Sequence, residues 1–219
     1  MIESFWFPVR LSLIVATIAT IGTFVLAVFL SYQFNKKAFP GKTVVETLFV
    51  LPLVLPPSVL GFLLLIVFGM NSPIGRGIEN VFGQSIMFTQ FAAVLAAAVV
   101  AFPLMYQSAK AGFSSIDFDI EAAARVDGAS EWMVFTKINI PLAWRSLMTG
   151  IILSFTRALG EFGATLMFAG NIPGKTQTIS TAIYVALESG DTELAWKYVF
   201  ISIALSFLFL IVINRVNRN

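Results

Sequence analysis

Five long stretches of this chain are almost free of charge, and that pattern constrains the fold more than any other feature. Leu11 to Asn35 lies between Arg10 and Lys36, Thr47 to Gly75 between Glu46 and Arg76, and Asn80 to Ala109 between Glu79 and Lys110. Ser146 to Gly170 is interrupted by Arg157 and Glu161 alone, and Tyr198 to Asn214 follows Trp196 and Lys197. A helix crosses a hydrocarbon core of ~30 Å with ~20 residues. Each stretch therefore reads as a membrane span. The spacing predicts one all-α integral membrane domain over 1–219, with spans at about 11–35, 47–70, 86–109, 146–169 and 196–214. Thr178 to Leu187 is too short to cross and reads as an interfacial or re-entrant helix. The first span lacks a small-residue cleavage site before a soluble domain, so it is expected to stay in place.

Composition then excludes whole classes. Of the 219 residues, 58% are apolar and 12% charged, which argues against a soluble enzyme, a disordered tail or a nucleic-acid module. A net charge of +2 is too small to suggest a polyanion as partner. There is no Cys and no His, so thiolate chemistry, the commonest general base and the commonest metal ligand are all missing. Neither a catalytic residue nor a metal site is expected.

Loop charge sets the expected orientation. The 35–46 loop, the 110–145 loop and the C-terminal end hold nine basic residues: Lys36, Lys37, Lys42, Lys110, Arg125, Lys137, Arg145, Arg215 and Arg218. The opposite side holds four, Arg10, Arg76, Lys175 and Lys197. The positive-inside rule then puts the N-terminus outside and the C-terminus in the cytoplasm.

Two spans are expected to be irregular. The second contains Leu51-Pro52-Leu53-Val54-Leu55-Pro56-Pro57, and each proline removes a backbone donor and crowds the preceding turn. Freed carbonyls in a bilayer need protein or water as partners, so the break around Pro56 and Pro57 either shapes packing or borders a conduction path. Pro103 should kink the third span. In the fourth, Arg157 and Glu161 stand four residues apart, one helical turn, and should share a face. Intramembrane charges usually face a bundle interior or a cavity. The pair is either a compensated packing element or a weak positive step on an anion path, with Glu161 holding the Arg157 rotamer and Gly163 beside it. Gly160 and Ala164 form a small-xxx-small step that would admit a neighbouring helix.

The long loop at about 114–141 carries the most specific text. Asp117 should cap a first short helix, with Asp119 and Glu121 near its positive end. Ala122, Ala123 and Ala124 propagate it, Asp127 follows, and Gly128 can take a positive φ and stop it. Ser130 should cap a second helix, and Pro141 should begin the return to the membrane. The alanines present a smooth surface that another protein could approach closely.

Here the sequence resembles the permease subunits of bacterial ATP-binding-cassette importers. Their signature is Glu-Ala-Ala, a Gly, nine residues and then Ile-x-Leu-Pro. In this chain Gly128 is followed by Ala129 to Lys137 and then Ile138-Asn139-Ile140-Pro141. Ile140 replaces the usual Leu, and Glu121 lies one residue further from Gly128 than the signature has it, so Ala122 takes the acidic position. Phe39-Pro-Gly-Lys42, the Leu51–Pro57 run, Arg157-Ala-Leu-Gly-Glu-Phe-Gly-Ala-Thr165 and Gly170-Asn-Ile-Pro-Gly-Lys-Thr-Gln-Thr178 are similar to the molybdate branch, with sulfate/thiosulfate or tungstate permeases as the alternative. The resemblance implies a homodimer in a bacterial cell membrane, an external molybdate-binding protein, and two cytoplasmic ATPase subunits that hold ATP and Mg, this chain binding no cofactor itself. It also implies that the loop from Glu121 to Gly128 couples the ATPase to the permease.

Two short motifs mislead. Gly170-Asn-Ile-Pro-Gly174-Lys175-Thr176 has three residues between its first Gly and the Gly-Lys pair where a phosphate-binding loop needs four. Pro40-Gly-Lys-Thr43 has Lys36 where the leading Gly should stand. Both read as turns. The rival from another class is an ATP-independent secondary anion transporter. It would be expected to pair the Pro-rich break with a second break in the other half, where the sequence shows none, and a proton-coupled carrier to hold several intramembrane carboxylates, where only Glu161 lies deep.

Overall fold

The computed structural model describes residues 2–218, and the side chains of 5–211 and Arg215 within them. Its elements are α1 (Ile2–Lys36), α2 (Lys42–Val54), α3 (Pro57–Phe68), α4 (Pro73–Phe82), α5 (Gln90–Ser114), α6 (Phe118–Val126), α7 (Glu131–Val134), α8 (Ile140–Leu142), α9 (Trp144–Leu159), α10 (Gly163–Phe168), α11 (Ile179–Glu188) and α12 (Thr192–Arg218). A π-turn, Phe135–Asn139, joins α7 to α8. No strand occurs among the described residues.

Three helices are each long and apolar enough to cross a bilayer: α1, α5 and α12. They contain the first, third (from Gln90) and fifth expected spans. The other two expected spans are divided. α2 and α3 meet at a bend of 118°, and the fourth runs as α9 to Leu159 and resumes as α10 at Gly163; the rod Glu131–Leu142, ahead of that span, meets α9 at 72°. Pro52 is tolerated inside α2; the chain turns at Leu55-Pro56. Pro57 then occupies the first turn of α3, where the N–H it lacks would have no helical acceptor anyway. α5 continues as one helix through the buried Pro103.

The core is α1 packed along α5, with α9 against both. α5 offers Ala92, Ala93, Ala96, Ala97, Val100 and Ala101 to Leu11, Val15, Ala16 and Ala19 of α1. Small side chains let the backbones approach, which is the main source of helix association where lipid is as apolar as leucine. α5 and α9 approach closely. A Cβ on Gly112 would sit 2.8 Å from the Ser146 Cβ, and one on Gly150 2.8 Å from the Ser108 Cβ. Ser108-xxx-Gly112 thus faces Ser146-xxx-Gly150. The Gly160–Ala164 step behaves otherwise than expected. No other helix comes within 4 Å of a Cβ built at Gly160, while Ala164 is approached by Gly61 of α3.

α11 begins with a capping box between Thr178 and Thr181, and its Ile179 N–H donates to Ser12 Oγ of α1 at 2.8 Å. Phe5 stacks on Tyr198 at 4.9 Å, tying the start of α12 to the start of α1. The Gly170–Thr176 segment is a closed turn: the Ile172 carbonyl accepts from Lys175, Thr176 and Gln177, and Thr176 Oγ1 accepts from the Ile172 N–H. Its one hydroxyl takes part in closing the turn.

Candidate functional site

The loop between α5 and α9 is built from local chemistry. Asp117 accepts from the Asp119 N–H at 2.9 Å and starts α6. Gly128 stops it at φ +90°, a conformation that costs a side chain with a Cβ ~1–2 kcal/mol. The Ala129 N–H returns to the Ala124 carbonyl, closing the helix end. Ser130 accepts from Met133 and starts the second rod. The two caps and the glycine stop stand where the sequence put them.

What the sequence did not show is the ionic cluster that fastens this loop. The Glu121 carboxylate, its side chain only 13% exposed, accepts from Arg125 Nη2 at 2.6 Å and from Asn139 Nδ2 at 2.9 Å. Arg125 Nε reaches Glu131 at 2.6 Å. Lys36 Nζ, from the last residue of α1, lies 2.5 Å from Glu131 and 3.7 Å from Glu121. Arg125, then Lys36, hold the Glu131 carboxylate at about 2, well below the usual range. The same carboxylates raise the Arg125 guanidinium further. Glu121, despite its offset from the family signature, is the hub of this cluster. The Glu121–Arg125 pair could have been read from its i, i+4 spacing. Lys36 could not, standing 95 residues from Glu131.

Among the other expected coupling residues, Ala123, Asp127 and Gly128 are exposed, and Ala122 and Ala124 half-buried. Ile138 lies half-buried in the π-turn, and Pro141 is exposed on α8. Phe118, Val126 and Trp132 are 73%, 87% and 71% exposed, leaving large apolar side chains of the loop uncovered.

The second place is where two broken helices cross. α9 ends at Leu159, and Gly160 to Phe162 leave the helix before α10 begins at Gly163. So the fourth span does carry a break, without a proline, and the missing partner of the α2–α3 break is present. Arg157 and Glu161 accordingly lie on either side of a helix end, yet they still pair: Arg157 Nη1 is 2.8 Å from Glu161 Oε2. The buried Glu161 also accepts from the Ala164 N–H through Oε1 at 2.8 Å, capping α10. A Cβ on Gly163 would meet the Pro57 Cβ at 2.8 Å, and one on Gly61 the Met167 Cβ at 2.7 Å. Pro57, Glu161 and Gly163 are therefore gathered at one junction, with Pro56 at its edge and Arg157 reaching it. Gly61 was not singled out in the sequence; a glycine in an apolar run gives no sign of what crosses it.

Comparison with known proteins adds the following. The sequence profile described as "Binding-protein-dependent transport system inner membrane component" matches residues 23–219. YvgM of Bacillus subtilis (strain 168), named for a molybdenum transport system permease, is 58% identical over 213 residues, 97% of this chain and 94% of that one. The molybdenum transport system permease protein ModB of Escherichia coli (strain K12) is 40% identical over 217 residues, 97% of this chain and 95% of that one. A crystal structure of a bacterial alginate ABC transporter contains a chain with the same fold, at a TM-score of 0.78 and 16% identity over 99% of this chain and 79% of that one.

Proposed function

The chain belongs to the family of binding-protein-dependent transport system inner membrane components and is the permease subunit of an ABC importer, and on that premise we propose that it carries molybdate inward across a bacterial cell membrane. The observation that carries the choice of substrate is the 58% identity to a molybdenum-system permease along 97% of the chain. As a permease it is not itself an enzyme; hydrolysis belongs to a separate ATPase subunit.

The mechanism follows from the two places described. The chain acts as a homodimer, with its N-terminus outside and its C-terminus in the cytoplasm. One copy has three uninterrupted crossing helices and two bent ones, too few to enclose a gated path. α2 buries none of its residues within one copy, which leaves its apolar face for a second. Two ATPase subunits dock on the exposed face of the loop at about 114–141, where Glu121, Ala122, Ala123, Ala124, Asp127, Gly128, Ile138 and Pro141 form or shape the coupling element. ATP and Mg are held by those subunits and bring them together. The loop follows as a rigid piece and tips the helices, and a loaded external binding protein releases its anion into the path. ATP must interact differently with the two states of the complex, and the loop is where that difference enters the membrane domain. The path itself passes the junction of Pro56, Pro57, Arg157, Glu161 and Gly163. Because Glu161 neutralises Arg157, the junction offers a weak positive step and no tight anion cage, so release is not hindered.

The test is ATP-driven uptake by the complex reconstituted in vesicles with its binding protein. Molybdate uptake that excess sulfate leaves intact is the expected result. Uptake of sulfate in preference would overturn the substrate, and uptake without the ATPase subunits would favour a secondary transporter.

A further inference from the structure

We propose that Lys36 is the residue that latches the coupling loop to the membrane core, so that force on the loop reaches α1 directly. The inference rests on the reading of residues 114–141 as the coupling element. α6 fully buries none of its residues, so apolar packing does not hold it. The bonds of Arg125 and Asn139 to Glu121 and Glu131 lie within the loop and its return rod, and stiffen the loop without tying it to anything else. Lys36 comes from a different element. Its ammonium touches both carboxylates of the cluster and lies 4.3 Å above the ring of Tyr32, one turn back on α1. That ring is itself lodged against Phe113 of α5 and Phe135 of the π-turn, at 5.7 and 4.5 Å. The cluster is electrically balanced, two cations against two carboxylates, so removing Lys36 leaves an excess negative charge beside the mostly buried Glu121. α1 in turn packs along α5 and α9. Besides the covalent route through α5 and the return rod, and the packing of Phe135 on Tyr32, a push on α6 therefore has an ionic route through Lys36 into α1.

The experiment measures molybdate uptake and phosphate release in the same vesicles, with the permease, its ATPase subunits and the binding protein. In Lys36→Met the ATPase subunits should still co-purify and hydrolyse ATP. Uptake per ATP should fall about fivefold, the low end of ordinary coupling between sites. Lys36→Arg, which keeps the charge and the reach, should recover most of that ratio, and Glu131→Gln should lose it from the other side of the bond. Lys37→Met, at the exposed neighbour, should behave as the wild type. Wild-type uptake per ATP in both Lys36→Met and Glu131→Gln would overturn the latch. So would loss of the ATPase subunits in step with uptake, which would make Lys36 an assembly residue. Gly128→Val in parallel separates the two readings. If it too leaves ATPase association and uptake intact, the loop is not the coupling element; if it alone is damaging, only the latch fails.

Discussion

Glu161 uses both oxygens of one buried carboxylate, one on Arg157 and one on the first turn of α10. Its substitutions therefore separate by what they remove. Arg157→Met leaves the buried carboxylate without its counter-ion, which costs about 3 kcal/mol. Assembled protein should fall accordingly. Arg157→Met with Glu161→Gln removes both charges but keeps an amide oxygen to accept from Ala164, so assembly should recover. Replacing Gln by Met in that double variant loses the cap as well, about 1 kcal/mol more. The readout is initial molybdate uptake divided by assembled complex. Full uptake in the Met–Gln double variant assigns the pair to packing alone; good assembly with poor uptake assigns Arg157 to the anion path.

At the scale of elements, the α6–α7 loop depends on one backbone angle. Gly128 sits at φ +90°, and nothing lies within 4 Å of a Cβ built there, so any damage from substitution comes from the backbone and not from a clash. Gly128→Val should insert normally yet lose ATPase association and uptake, since a β-branched residue resists that angle. Gly128→Asn should be much milder, because Asn adopts the left-handed region more readily. Co-purified ATPase per permease measures both. The loop was legible because its devices are local: a capping Asp, a run of alanines, a glycine, a capping Ser. The break after Leu159 was not, because nothing in Gly160-Glu161-Phe162 forbids a helix. It is set by the crossing of α10 over Pro57 and Gly61, about 100 residues earlier in the chain. The pairing of Lys36 escaped notice for the same reason, its partners being distant in sequence and adjacent in space.

For the whole molecule, the spans were readable because the length of a bilayer crossing is a property of the solvent and needs no knowledge of tertiary contacts. The basic residues that the loop arithmetic assigned to one side include Lys36, Lys110 and Arg125, all engaged in ion pairs at the α6 end of the bundle. Cysteine labelling in intact cells tests which side that is. Gly174→Cys should react with an impermeant reagent from outside and Ser130→Cys should not; the reverse pattern would put the loop beyond the reach of any cytoplasmic ATPase. The broken α2–α3 stretch has a consequence for biogenesis. At ~1.5 Å per residue the two helices are about 20 and 18 Å long, each shorter than the ~30 Å core, and α3 packs mainly on α10. As the chain leaves the ribosome, α1 and α5 can each settle in lipid as they emerge. α2 gains its partner when α5 follows it, but Pro57–Phe68 gains its main partner only once Gly163–Phe168 has been synthesised.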